Sequence, residues 1–81
     1  MWYVYVIRCS DKSLYTGITN DLNKRLKAHN SRKGGKYTRS RLPVKLLYKE
    51  IYKTKSEALK REIQIKNFSR KEKLELLNKS A

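Results

Sequence analysis

The sequence predicts an α+β fold: a small three-stranded antiparallel sheet flanked by helices, in the order β-β-α-β-α-α. Three observations predict it. The N-terminal run Trp2-Tyr3-Val4-Tyr5-Val6-Ile7 is apolar on both alternating faces and rich in aromatic and β-branched residues, so it reads as a central strand covered on both sides. A second short strand, Leu14 to Ile18, follows the polar turn Ser10-Asp11-Lys12-Ser13, which makes the pair an antiparallel hairpin. Thr54-Lys55-Ser56-Glu57 and Ser69-Arg70-Lys71-Glu72 are capping boxes, each opening an apolar-periodic stretch. A small antiparallel sheet with helices packed on it satisfies all three.

The elements follow in order. Gly17, near the end of the second strand, marks a bulge or a close approach of a ligand to the backbone. Thr19, Asn20 or Asp21 caps a first helix running to about Asn30, whose apolar stripe is only Leu22 and Leu26. At about 100° per residue, Arg25 and His29 flank that stripe one turn apart on one face. Gly34-Gly35 stops the helix and opens a basic loop, Lys36-Tyr37-Thr38-Arg39-Ser40-Arg41. Pro43 precedes a third strand, Val44 to about Tyr52, with Leu46, Leu47, Tyr48 and Ile51 as its apolar members. The helix after Thr54 runs through Ala58, Leu59, Ile63 and Ile65. Glu62 falls inside that apolar arc, about 40° from Ala58, while Glu57, Lys60, Arg61 and Gln64 fall on the other side. Leu74 and Leu77, at i and i+3, mark the last helix.

Length and composition set limits. Eighty-one residues make one domain, 1–81, with a small core. Leu, Ile, Val and Phe total 19 of 81, just above the share of disordered chains, so a compact fold carries a very charged surface. No apolar run approaches the roughly 18 residues of a membrane span. The run Met1 to Ile7 lacks a basic region before it, which argues against a secretion signal. Cys9 is the single cysteine, and there is no Cys/His spacing for zinc. The expected compartment is the cytoplasm. Lys plus Arg is 21 against 7 for Asp plus Glu, a net charge of +14. Such an excess attracts polyanions, and nucleic acid is the expected partner, ahead of an acidic membrane or an acidic protein.

A carboxylate on a core-facing stripe costs stability unless it is paired or metal-bound. Glu62 is therefore the residue most out of place. The hairpin adds Tyr5 and Tyr15, and the first helix adds Arg25 and His29. Phosphodiester hydrolysis needs a cation site, a base for water and positive charge for the developing phosphorane. A lone inward Glu can anchor one divalent ion, Arg suits a bidentate phosphate contact, and a phenol or an imidazole can relay a proton. Lys36, Arg39 and Arg41 with Tyr37 form a phosphate-contacting loop with one stacking aromatic, and Lys66 either extends that basic surface or pairs with Glu62.

These residues in this order resemble the GIY-YIG nuclease superfamily. Tyr3-Val4-Tyr5 stands at its first motif and Tyr15-Thr16-Gly17 at its second; Arg25 follows Tyr15 by ten residues and His29 follows Arg25 by four. Ser56 to Lys66 looks like the Glu-bearing helix. Leu14-Tyr15-Thr16-Gly17-Ile18-Thr19 and Lys36-Tyr37-Thr38-Arg39 resemble most the small stand-alone bacterial members. The resemblance implies a metal-dependent endonuclease with a one-metal mechanism, acting on DNA, with DNA repair as the family-level setting. It implies that Tyr5 activates the attacking water, Tyr15 shapes the water and phosphate site, Arg25 holds the scissile phosphate, His29 assists in proton transfer or phosphate contact, and Glu62 binds Mg²⁺ or Mn²⁺. A protein partner supplying substrate selection is also implied, because larger relatives carry appendages for that purpose.

Two departures keep a second reading open. The Gly of the first motif is Tyr3 here. The Asn that several members carry beyond the Glu helix has only Asn67 and Asn78 as counterparts. They motivate the alternative of a non-catalytic DNA- or RNA-binding module on the same fold.

Overall fold

The structure, a computed structural model, describes residues 1–31 and 36–79, and side chains throughout that range except at Lys36, Tyr37 and Lys79. Strands β1 (Trp2–Arg8), β2 (Leu14–Thr19) and β3 (Lys45–Tyr52) form one antiparallel sheet in the order β2-β1-β3. Helices α1 (Leu22–Asn30), α2 (Lys36–Arg39), α3 (Lys55–Lys66) and α4 (Arg70–Lys79) complete the chain. The predicted order holds, with one addition. The segment read as an open basic loop is helical over the single turn Lys36–Arg39.

β1 is the wall shared by both layers. Val4, Tyr5, Val6 and Ile7 are all at most 1% exposed. Because successive side chains alternate, the run feeds two cores. Tyr5 and Ile7 join Cys9, Leu22 and Val44 on one face, with Tyr3, Tyr15, Leu26, Leu42 and Leu46 packed around them. Val4 and Val6 join Ala58 and Ile65 on the other face, where Trp2, Phe68, Leu76 and Leu77 close over them. Each buried Val or Ile contributes about 1.5–3 kcal/mol, so β1 alone supplies a large part of the stability of a core this small.

The helix ends follow their caps. Asp21 caps α1, its carboxylate accepting from the Lys24 amide at 3.1 Å. Thr54 caps α3 by accepting from the Glu57 amide at 3.2 Å. At α4 the capping box is complete: the Glu72 amide donates to the Ser69 hydroxyl at 3.2 Å, and the Ser69 amide donates to the Glu72 carboxylate at 3.0 Å. The hairpin turn is fixed by Asp11, which accepts from the Ser13 amide at 3.0 Å, while Lys12 takes a left-handed φ of 68°.

Three local expectations change. The sheet irregularity lies between Val6 and Ile7, where β1 meets β3, and not at Gly17. The buried stripe of α3 is centred on Ala58 and Ile65, whereas Leu59 is 38% and Ile63 58% exposed. Arg61 therefore lies on the sheet side of α3 and not on the solvent side.

There Arg61 meets Glu50. Its Nε donates to Glu50 at 2.9 Å and its Nη2 at 3.1 Å. Glu50 also accepts from Tyr48 and, at 2.5 Å, from Tyr52. Tyr48, Glu50 and Tyr52 point to one face because they alternate along β3. Arg61 further donates to Gln64 at 2.7 Å and stacks over Phe68. Burial pushes the Glu50 carboxyl up, but the bonds from Arg61, Tyr48 and Tyr52 together hold it below its ordinary value. Burial and then Glu50 push the Tyr52 phenol up to about 12.

Candidate active site

The other face carries the tyrosine, arginine and histidine members of the predicted site. β1 presents Tyr5 and β2 presents Tyr15, and the Tyr5 and Tyr15 rings lie 6.4 Å apart. Tyr5 is paired with Gly17 across the two strands. A Cβ at position 17 would lie 2.6 Å from the Tyr5 hydroxyl oxygen and 2.8 Å from Cζ. Only glycine leaves that space, so Gly17 makes room for the Tyr5 ring.

α1 lays Arg25 and His29 against the same phenol. The Arg25 Nε donates to the Tyr5 hydroxyl at 3.4 Å. The Tyr5 hydroxyl and His29 Nε2 are 3.1 Å apart, and the His29 ring stands edge-on to Tyr15 at 5.6 Å. Tyr15 lies close enough to help raise the Arg25 guanidinium above its ordinary value, after the bond to Tyr5. Helical spacing predicted His29 beside the apolar stripe, but it is fully buried. Its second nitrogen, Nδ1, lies 2.7 Å from the hydroxyl of Thr38, which is also fully buried. Both ring nitrogens are therefore engaged by hydroxyls inside the fold.

The electrostatics follow from this packing. Burial raises the Tyr5 phenol above its ordinary value, and the opposing Arg25 charge does not overcome it. Glu62 is near enough to push the phenol in the same direction. Burial, then the Arg25 charge, holds the His29 imidazole below its ordinary value. The resting pair is therefore a neutral phenol against a neutral imidazole.

Glu62 projects from α3, which packs on β1 and β2, and its side chain is only 14% exposed. Lys66, one turn on, reaches it at 3.5 Å, so the ion-pair partner is Lys66 and Arg25 belongs to the phenols. Among the described residues no three His, Cys, Asp or Glu side chains converge as a metal cage. A single carboxylate suits Mg²⁺ or Mn²⁺, which take few protein ligands and fill their shells with water and phosphate oxygens. It does not suit structural zinc.

The predicted contact residues divide. Arg39 is exposed at the end of α2. Arg41 donates to Asp11 at 2.9 Å and ties the α2 region to the hairpin turn. The side chains of Lys36 and Tyr37, and Gly34-Gly35 entirely, lie outside the described residues. Of the two Asn candidates, Asn67 is the α3 C-cap and Asn78 is exposed on α4. Sequence reasoning missed Thr38 as a partner of His29. It missed Asn30 as well, whose side chain accepts from the Val44 amide at 2.9 Å and pins α1 to the entry of β3.

Comparison with known proteins shows the family and the fold. Residues 1–75 match the GIY-YIG catalytic domain. The chain belongs to the GIY-YIG family. It is 54% identical over 76 residues to the UPF0213 protein SSP2268 of Staphylococcus saprophyticus, covering 94% of this chain and 93% of that one. It is 55% identical over 75 residues to a UPF0213 protein of Staphylococcus aureus strain Mu3, covering 93% and 92%. The solution structure of the UPF0213 protein BH0048 from Bacillus halodurans superposes with a TM-score of 0.63 at 43% identity, over 96% of this chain and 84% of that one. That of EF2693 from E. faecalis gives 0.64 at 42%, over 95% and 82%. These matches place the chain in a nuclease family and the fold among small GIY-YIG proteins. No described helix is long and apolar enough to cross a membrane.

Proposed function

We propose that the protein is a metal-dependent endonuclease that hydrolyses DNA phosphodiester bonds in the cytoplasm. The observation that carries this reading is the buried Tyr5 phenol, bonded to Arg25 on one side and His29 on the other, with the Glu62 carboxylate nearby. Each group has a task. Tyr5 takes a proton from the attacking water. Arg25 has five N–H donors, and its bond to Tyr5 leaves donors for the scissile phosphate. Tyr15 walls the site and helps aim Arg25. Glu62 holds one Mg²⁺ or Mn²⁺, which, when bound, polarises the phosphate and stabilises its developing charge. The net charge of +14 brings the polyanion to the surface, where Arg39 is exposed at the end of α2. Lys36, Tyr37, Arg41 and Lys66 are further contacts in this reading, and a protein partner supplies substrate selection.

The Lys66–Glu62 contact favours a second reading, a nucleic-acid-binding module whose carboxylate is held by a lysine and takes no metal. One experiment separates the two. Labelled duplex, branched and single-stranded DNA are incubated with excess protein in Mg²⁺, Mn²⁺ or chelator, beside Glu62→Gln. Metal-dependent cutting that the variant loses is expected. Salt-sensitive binding with no cutting under any condition would replace the nuclease with the binding module.

A further inference from the structure

His29 is the only histidine in the chain. Its two ring nitrogens face two hydroxyls, Tyr5 at 3.1 Å and Thr38 at 2.7 Å. We propose that Thr38 is a positioning residue that fixes the tautomer of His29, with the ring proton on Nδ1 donated to Thr38 Oγ1 and the Nε2 lone pair left to accept the proton of Tyr5. Its use in catalysis rests on the nuclease reading above; the tautomer itself is a property of the resting protein.

Counting donors and acceptors selects this arrangement. The Tyr5 phenol is 1% exposed, so its proton needs an acceptor inside the fold. Arg25 is one hydrogen-bond neighbour, and a guanidinium only donates. Among the described residues that leaves His29 Nε2. If Nε2 carried the ring proton, the Tyr5 oxygen would face two donors and its own proton would be buried without a partner, which is unfavourable. Nε2 must therefore be the bare nitrogen, and a neutral imidazole then bears its proton on Nδ1. Nδ1 needs an acceptor in turn, and the Thr38 hydroxyl is within reach. A fully buried Thr on the one-turn helix α2 has its place explained by this bond.

The arrangement makes Tyr5 a relay rather than a terminal base. As water attacks phosphorus, one water proton passes to the Tyr5 oxygen while the Tyr5 proton passes to His29 Nε2. The new P–O bond forms, the bond to the leaving oxygen breaks, and the leaving oxygen takes a proton from solvent. His29, briefly an imidazolium, keeps its Nδ1–H bond to Thr38 and returns the extra proton to solvent through Tyr5. A phenol raised by burial has little tendency to ionise at rest, so an acceptor behind it allows water activation near neutrality.

The test is a long-range ¹⁵N–¹H spectrum of the single imidazole in the whole protein, without metal or DNA. The expected spectrum has a protonated, pyrrole-type Nδ1 and a pyridine-type Nε2. The reverse assignment in the wild type would overturn the proposal. Thr38→Val, which keeps the shape and removes the hydroxyl, should mix the two tautomers and lower kcat on the order of tenfold or more with KM within about twofold, and Thr38→Ser should restore both. Unchanged tautomer and rate in Thr38→Val would also overturn it. Should Thr38→Val fail to fold, the wild-type and Thr38→Ser spectra still decide. Should the wild type cut no DNA, the nuclease reading fails while the spectrum continues to test the tautomer.

Discussion

The two faces of the sheet carry nearly the same chemistry and do opposite things with it. On one face, Tyr48 and Tyr52 flank Glu50, with Arg61 against the carboxylate. On the other, Tyr5 and Tyr15 adjoin His29, with Arg25 against the phenols. The Glu50 cluster is saturated. Its carboxylate takes both phenols and three bonds from Arg61, whose remaining reach goes to Gln64 and Phe68. The carboxylate oxygens are fully taken up by these partners. The Tyr5 cluster is a line of single bonds, from Thr38 through His29 and Tyr5 to Arg25, and Arg25 keeps donors for an incoming anion. Phenols and a guanidinium become a brace where their bonds close on a carboxylate. They offer a candidate site where the line stays open at one end.

The sharpest break in this comparison comes from removing one ionisable group at a time from the candidate site and from the Glu50 cluster. Glu62→Gln and Tyr5→Phe each should lower the cleavage rate by about 10²–10⁴-fold while the melting temperature stays close to wild type. Glu50→Gln should do the reverse. It leaves the half-buried Arg61 charge without its partner, at about 1–3 kcal/mol once partial exposure is discounted against a fully buried pair, and lowers Tm by about 5–15 °C. Cleavage by the folded fraction should remain within a few-fold. Thermal melts beside single-turnover assays check both, and a Glu50→Gln protein that melts normally but cannot cut would dissolve the division between brace and site.

Gly17→Ala comes next, because it touches only the open face. The new methyl would stand 2.6 Å from the Tyr5 hydroxyl, so the ring has to move off His29 and Arg25. Overpacking of this kind costs about 1–3 kcal/mol. The rate should fall with the lost alignment, by about tenfold or more, and ¹H–¹⁵N shifts should change at His29 and Arg25. A Gly17→Ala protein with wild-type cleavage would mean that the Tyr5 contact is not used.

How much was legible beforehand divides along the same line. Strands and caps were readable because the unbroken apolar, β-branched run Trp2–Ile7 and the two capping boxes are local signals. Tyr5, Tyr15, Arg25, His29 and Glu62 stood out as polar groups near apolar stripes. The face of α3 was misread because Leu59 and Ile63 look like core residues, yet only Ala58 and Ile65 fit under the helix at close approach to the sheet. A long Arg61 side chain fills the remaining space because Glu50 waits there, and an ion pair 11 residues apart leaves no periodic trace. Thr38 was hidden for the same reason. A short polar residue in a basic run shows nothing of a buried imidazole nine residues earlier.

Acid should separate the faces by pH. The folded His29 binds its proton only below its ordinary value of 6.5, so its stabilisation is full above that pH and is lost as pH falls through the folded value. Glu50 is also lowered, from 4.5, so its contribution is full above that pH and is lost further into acid. Tm should therefore decline in two stages. His29→Gln should flatten the first and Glu50→Gln the second, and a single stage unaffected by His29→Gln would sink the assignment of the first to the open face.

Lys66 carries the smallest expected effect and the most informative sign. Its pairing with Glu62 at 3.5 Å is an i,i+4 contact worth only about 0.2–0.5 kcal/mol, so Lys66→Met should barely move the melt. The ammonium nevertheless competes for the oxygen that a metal needs. If it acts as a placeholder, Lys66→Met should tighten Mn²⁺ binding by about two- to fourfold in a titration without DNA, and Glu62→Gln should abolish that binding. If Lys66 instead meets a phosphate, DNA affinity should fall and its salt dependence should lose about one unit of slope, with Mn²⁺ affinity unchanged. The side chain is half exposed, so both partners can reach it. The direction of each change decides whether the one charge paired with Glu62 serves the metal site or the DNA surface.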